Sequence, residues 1–214
     1  MMYNINGQTE KKYRIGKYTF SLIEIQDLTK AWIAISVAFA ILYSGGIASQ
    51  NFIIMDFFEL LLIAGVTVGL GFLLHEIGHK FMAQKYGVWA EFRANTTMLG
   101  LAIIMSFFGF IFLAPGAVMM KGHVGNSRLG RVAMMGPLIN IILALIFGIF
   151  FIIFMKEFLF YGFMINAWLA LFNMLPFGMF DGYKIIKWNK AVYGIMLFVS
   201  AVLTFAPTIL QAIL

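Results

Sequence analysis

The chain has 214 residues, of which 62% are hydrophobic and only 11% charged, and its mean hydropathy is +0.93. This lies outside the range of soluble globular domains and describes an integral membrane protein. The net charge of +6 does not point to nucleic acid in such a chain, because cytoplasmic loops of membrane proteins collect Lys and Arg, and the absence of cysteine excludes disulfides and thiolate metal sites.

Residues 1–30 are polar and of mixed sign, without the short apolar run of a cleavable signal, and read as a cytoplasmic arm. Residues 31–214 show no linker, repeat array or accessory domain and read as one polytopic membrane domain with its core at 57–190. Apolar stretches long enough to cross about 30 Å of hydrocarbon at about 1.5 Å per residue fall near 31–50, 57–80, 132–155, 158–180 and 191–213. A sixth, 98–120, is decided by charge. If it enters and leaves on one side, all 15 basic residues except Lys156 share a side; a sixth crossing would destroy that asymmetry. The expected fold is therefore an all-α membrane protein with five transmembrane helices and one re-entrant segment. It is multi-pass in the cell membrane, with its N-terminus in the cytoplasm. Folded-back backbone at membrane depth survives only beside protein or a water-filled cavity, so 98–120 is expected to line one.

The second span carries "GFLLHEIGHKFMAQ" (71–84). Residues four apart lie on one helix face, so His75 and His79 can aim two imidazoles at one ion. Glu76, about 100° round the helix, can take a proton from a water held there without being a ligand itself. A lone intramembrane His is ordinarily a satisfied core residue, but two at ligand spacing with a Glu between them mark a functional site. Gly78 lets another backbone approach between the histidines' turns. A catalytic zinc site needs a third protein ligand. Glu59 lies more than four turns away, which leaves Glu91 beyond Gly87, His123 in a Gly-rich basic loop, and Asp181. The last closes "NMLPFGMFDG" (173–182) at the end of the fourth span, which runs in the same direction as the second and so reaches a similar depth. Pro176 breaks that helix, and Gly178 and Gly182 allow irregular backbone. As an isolated Asp-Gly, Asp181 would read equally well as a solvated turn residue.

"HEIGH" (75–79), "GPLIN" (136–140) and "NMLPFGMFDG" resemble, in order and interval, the three motifs of the site-2 protease family of intramembrane zinc metalloproteases. The likeness covers roughly 57–190, and the stretches around 75–93 and 114–118 further resemble small archaeal members. No PDZ-like or CBS-like region is recognisable in these residues. The resemblance implies that His75, His79 and Asp181 hold one Zn2+ per chain, with Glu76 as catalytic base. Asn140 and Asn173 are intramembrane amides. Each can serve as an interhelical hydrogen bond or as a catalytic donor to an oxyanion, and the likeness favours Asn140 for the second role.

The function expected is hydrolysis of peptide bonds in or near a transmembrane segment of a membrane-protein substrate, inside the lipid bilayer. Such a segment must be unwound, and an extended stretch can add to a strand edge, which makes a small β element near the site an expectation for 98–120 or "VWAEFR" (88–93). Water is expected to reach the site past the polar residues Lys80 to Arg93 and Lys121 to Arg131. The rivals are a zinc-binding scaffold or transporter without protease activity, and a chamber-type membrane protease with a downstream Glu as third ligand. Oligomeric state is not readable.

Overall fold

The computed structural model describes residues 11–45, 54–111, 115–122 and 124–213. The chain opens with an antiparallel hairpin, β1 (Lys12–Ile15) and β2 (Tyr18–Ser21), and passes directly into α1 (Leu22–Tyr43). Ser21 caps that helix, its Oγ accepting from Glu24 N at 3.1 Å, so α1 begins inside the expected arm and carries Glu24 and Asp27 in its first turns. Next come α2 (Ile54–Ala64), a π-helical turn at Gly65–Gly69 and α3 (Leu70–Lys85), one continuous apolar span from Asp56 to Lys85. The wide turn is held by Trp32, whose Nε1 donates to Gly65 O at 3.0 Å.

β3 (Trp89–Ala94) and β4 (Gly116–Lys121) form an antiparallel pair with α4 (Thr96–Ser106) between them. Ala94 pairs with Gly116, so the segment between leaves and returns at adjacent points, and its 11-residue helix is too short to cross. This is the geometry expected of a re-entrant segment, with the small β element beside it. The remaining helices are α5 (Asn126–Phe154), α6 (Glu157–Asn173), α7 (Asp181–Trp188) and α8 (Lys190–Ile213). Among the described residues four helices are long and apolar enough to span, in α1, α2–α3, α5 and α8, while α6 has 17 residues, the short end of the spanning range. It stops at Asn173 rather than near 180 because Pro176 cannot continue it.

α5 occupies the centre and packs on α3, α6 and α7. Small residues permit this: a Cβ on Gly78 would press into Ile139 and approach Met135 O to 3.3 Å, so the backbone that Gly78 admits is that of α5. One apolar cluster joins Ile35, Phe39, Val68, Phe72 and Phe92 across α1, the π-helical turn, α3 and β3, and a second joins Ala133, Met174, Ile185 and Met196.

Buried charge fixes the sheet against α1. Lys80 and Glu24 are both fully buried and paired at 2.5 Å. Lys80 Nζ also donates to Ala90 O at 3.1 Å, Phe92 N donates to Glu24 Oε1 at 2.9 Å, and Ala94 N donates to Asp27 Oδ2 at 3.3 Å. The main-chain groups of Ala90, Phe92 and Ala94 therefore point away from β4. Strand alternation then gives β4 the pairs through Trp89, Glu91 and Arg93, and turns the main-chain groups of Val118 and Met120 outward. β3 has one edge paired and the other covered by acidic side chains, which leaves the outer edge of β4 open.

Candidate metal centre

His75 and His79 lie one turn apart on α3, and their Nε2 atoms stand 3.0 Å apart. Asp181, the first residue of α7, brings Oδ2 to 2.9 Å from His79 Nε2 and 3.4 Å from His75 Nε2. Donor atoms 2.0–2.2 Å from a tetrahedral ion stand about 3.3–3.6 Å from one another, so these separations fit zinc after a shift of a few tenths of an ångström. The chain delivers Asp181 here because the loop after α6 folds tightly back. Gly178 has φ +61°, and a Cβ on Gly182 would collide with the carbonyls of Met174 and Leu175.

Each ligand is held from behind. His75 Nδ1 donates to Asn140 Oδ1 at 2.6 Å and His79 Nδ1 donates to Val132 O at 2.9 Å, which leaves both Nε2 lone pairs for an ion. Lys184 Nζ donates to Asp181 Oδ1 at 3.2 Å, which leaves Oδ2 for the same point. Asp181 lies outside the spanning segments. Gly136 of α5 faces the two rings, and a Cβ there would lie 2.5 Å from His75 Cε1 and closer still to both Nε2 atoms. Any other residue at 136 would place its Cβ against both imidazoles.

Glu76 is buried and lines the same cavity, of about 320 Å³, and among the described residues its carboxylate has no hydrogen-bond partner. Phe39, Val118, Met120, Ile165 and Trp168 supply the apolar walls. Three convergent donors and an uncommitted carboxylate beside them are the components of a hydrolytic zinc site.

The chain is 41% identical over 186 residues to "Putative zinc metalloprotease MJ0611" of Methanocaldococcus jannaschii, covering 84% of this chain and 91% of that protein. It belongs to the site-2-protease-like zinc metalloproteases. "Putative zinc metalloprotease YwhC" of Bacillus subtilis is 27% identical over 146 residues, covering 57% of this chain and 66% of that protein. No protein-family model matches the chain, and no solved structure matches it significantly.

The other candidates in this metalloprotease are placed differently. Glu91 is buried away from the donors, accepting from Ser21 Oγ at 3.0 Å and pairing with Arg93 at 2.6 Å. His123 lies outside the described residues. Lys80, expected beside a water path, is instead the buried partner of Glu24. Asn140 is fully engaged: its Nδ2 donates to Gly71 O at 3.2 Å and to Asn166 Oδ1 at 3.0 Å, so no amide hydrogen is left for an oxyanion. Asn173 lines the cavity and donates to Leu169 O at 2.9 Å. Sequence reasoning missed Asn166, Lys184 and the contact of Gly136 with both imidazoles. An amide inside a span was a signal for the first, and a cation three residues after the acidic ligand for the second.

Proposed function

We propose that the protein is an intramembrane endopeptidase of the site-2 type, which hydrolyses a peptide bond in or beside a transmembrane segment of a membrane-protein substrate. One observation carries the reading: the Glu76 carboxylate, unpartnered among the described residues, shares a cavity with the His75, His79 and Asp181 donors and with the open edge of β4. His75 Nε2, His79 Nε2 and Asp181 Oδ2 would hold one zinc ion per chain. Zinc, when bound there, supplies a Lewis acid that polarises the scissile carbonyl and acidifies a water. Glu76 takes the proton of the attacking water and returns it to the leaving nitrogen. Asn140 and Val132 O keep the two imidazoles in register during the exchange. The unwound substrate adds as a strand to β4, exchanging hydrogen bonds with the main chain of Val118 and Met120, while Phe39, Ile165 and Trp168 keep bulk water from the reacting atoms. The end bearing the site faces the cytoplasm, since every basic residue except Lys156 belongs to that end by the charge asymmetry of the chain. A chamber-type protease using a downstream Glu is disfavoured because Glu91 is committed to Ser21 and Arg93.

The test is Glu76→Gln in the full chain. It should retain one zinc by elemental analysis while cleavage of a reporter transmembrane peptide falls by about 100-fold or more, the usual weight of a general base. Substantial turnover by this variant would overturn Glu76 as the base, and loss of zinc with activity would make it a ligand instead.

A further inference from the structure

The rings of the two histidines are oriented differently. His79 leans on a main-chain carbonyl, whose polarity is fixed, whereas His75 leans on an amide, which can present either its oxygen or its nitrogen. Presented by nitrogen, Asn140 would demand an acceptor at His75 Nδ1, drive the ring proton to Nε2 and close that atom to an ion. Something must hold the amide one way round. Asn166 of α6, fully buried, does so by a donor and acceptor sequence that runs one way only. Its Nδ2 donates to Gly162 O at 2.9 Å, a carbonyl that can only accept. Its Oδ1 is thereby turned to Asn140 and accepts from Asn140 Nδ2 at 3.0 Å. Gly71 O takes the second Nδ2 hydrogen at 3.2 Å, so Asn140 Oδ1 faces His75 Nδ1 and the lone pair of Nε2 faces the donor cluster. The fit around Asn166 is close: a Cβ on Gly71 would collide with its Oδ1.

We propose that Asn166 is a positioning residue for the zinc site: through the polarised chain Gly162–Asn166–Asn140, it sets which ring nitrogen of His75 is offered to the ion. The proposal rests on the zinc reading given above. It joins α6 to the site through α5, so a polar side chain buried two residues removed from the ligands, and touching neither ion nor substrate, governs metal affinity.

The experiment compares full-length Asn166→Leu and Asn166→Asp in detergent with the parent chain, reading zinc affinity by chelator competition. It also reads the ring-proton position of His75 by long-range 1H–15N correlation of the metal-free, 15N-histidine-labelled protein. The chain has only three histidines, so the spectrum is simple. Asn166→Leu should bind zinc about 10-fold or more weaker, the scale of lost outer-shell partners, and show a second His75 ring state. Asn166→Asp keeps an acceptor toward Asn140 and should stay within about 3-fold of the parent on that same scale. In an Asn140→Leu background, Asn166→Leu should add nothing further, because the chain is already cut. Asn166→Ser, too short to bridge Gly162 and Asn140, makes the same comparison if the Leu variant does not fold. Equal losses in the Asp and Leu variants, additivity in the Asn140→Leu background, or parental affinity in Asn166→Leu would each overturn the proposal. A parent chain that holds no zinc at all would overturn the metal reading beneath it.

Discussion

Gly136→Ala is the smallest change that tests whether the space between the histidines is an ion site. The added methyl would sit 2.5 Å from His75 Cε1 and closer to both Nε2 atoms, whereas non-bonded carbon contacts settle at about 3.5–4.0 Å. The rings must therefore retreat by about 1 Å. Metal–ligand distances tolerate only about ±0.2 Å, so two of three ligands lose the ion together. The rings cannot retreat freely, because Asn140 Oδ1 and Val132 O hold them from behind at 2.6 and 2.9 Å. Zinc affinity should fall by at least about 100-fold, roughly 2.7 kcal/mol. Stability of the metal-free chain should also fall, since the methyl meets the same two rings there, so affinity is compared at a temperature where both chains are folded. Chelator competition gives the affinity and thermal unfolding of the apo chains gives the control. Parental zinc affinity in Gly136→Ala would refute the reasoning, because no ion could then lie between the two Nε2 atoms.

Two further outcomes follow. Asp181→Ala should lose most bound zinc and all cleavage, while Glu91→Ala, which removes a partner of Ser21 and Arg93 rather than a ligand, should keep metal content near one per chain by elemental analysis; the opposite pattern would transfer the third ligand to Glu91. Val118→Pro removes an outward N–H from the open edge of β4 and leaves the pairing with β3 intact, so zinc should stay bound while kcat/KM for a transmembrane peptide drops about 5- to 10-fold, the worth of one hydrogen bond and a blocked strand edge; unchanged kcat/KM would remove β4 as the substrate strand's partner.

The helices were legible because a bilayer demands long apolar runs, and the re-entrant segment was legible because charge asymmetry penalises a sixth crossing. Their ends were not. α1 starts before the apolar run because Ser21 caps it and because Glu24 and Asp27 are spent on Lys80 and on the main chain of β3. Hydropathy treats those carboxylates as solvated, and only the pairing across about seventy residues makes them compatible with burial. The same pairing inverted the reading of Lys80, which a linear scan sees as one more basic residue near the membrane surface.

At the candidate site, two of the donors were legible in helical spacing, since His75 and His79 need nothing beyond one turn of α3 to converge. Asp181 needed the motif likeness, because its approach depends on the tight loop that Gly178 and Gly182 permit, and a loop path has no period to read. Asn140 was visible as a polar residue in a span, but its role was not, because an amide's function depends on which of its two ends meets which neighbour. That is fixed by Asn166, 26 residues further on in another helix, and by a carbonyl of Gly71 in a third. A sequence can show that an amide is buried; the direction of the hydrogen bonds through it exists only once α3, α5 and α6 are packed. The candidate metal site is in this sense a property of four helices, these three and the α7 that carries Asp181, and the two-histidine motif is the part of it that one helix can encode alone.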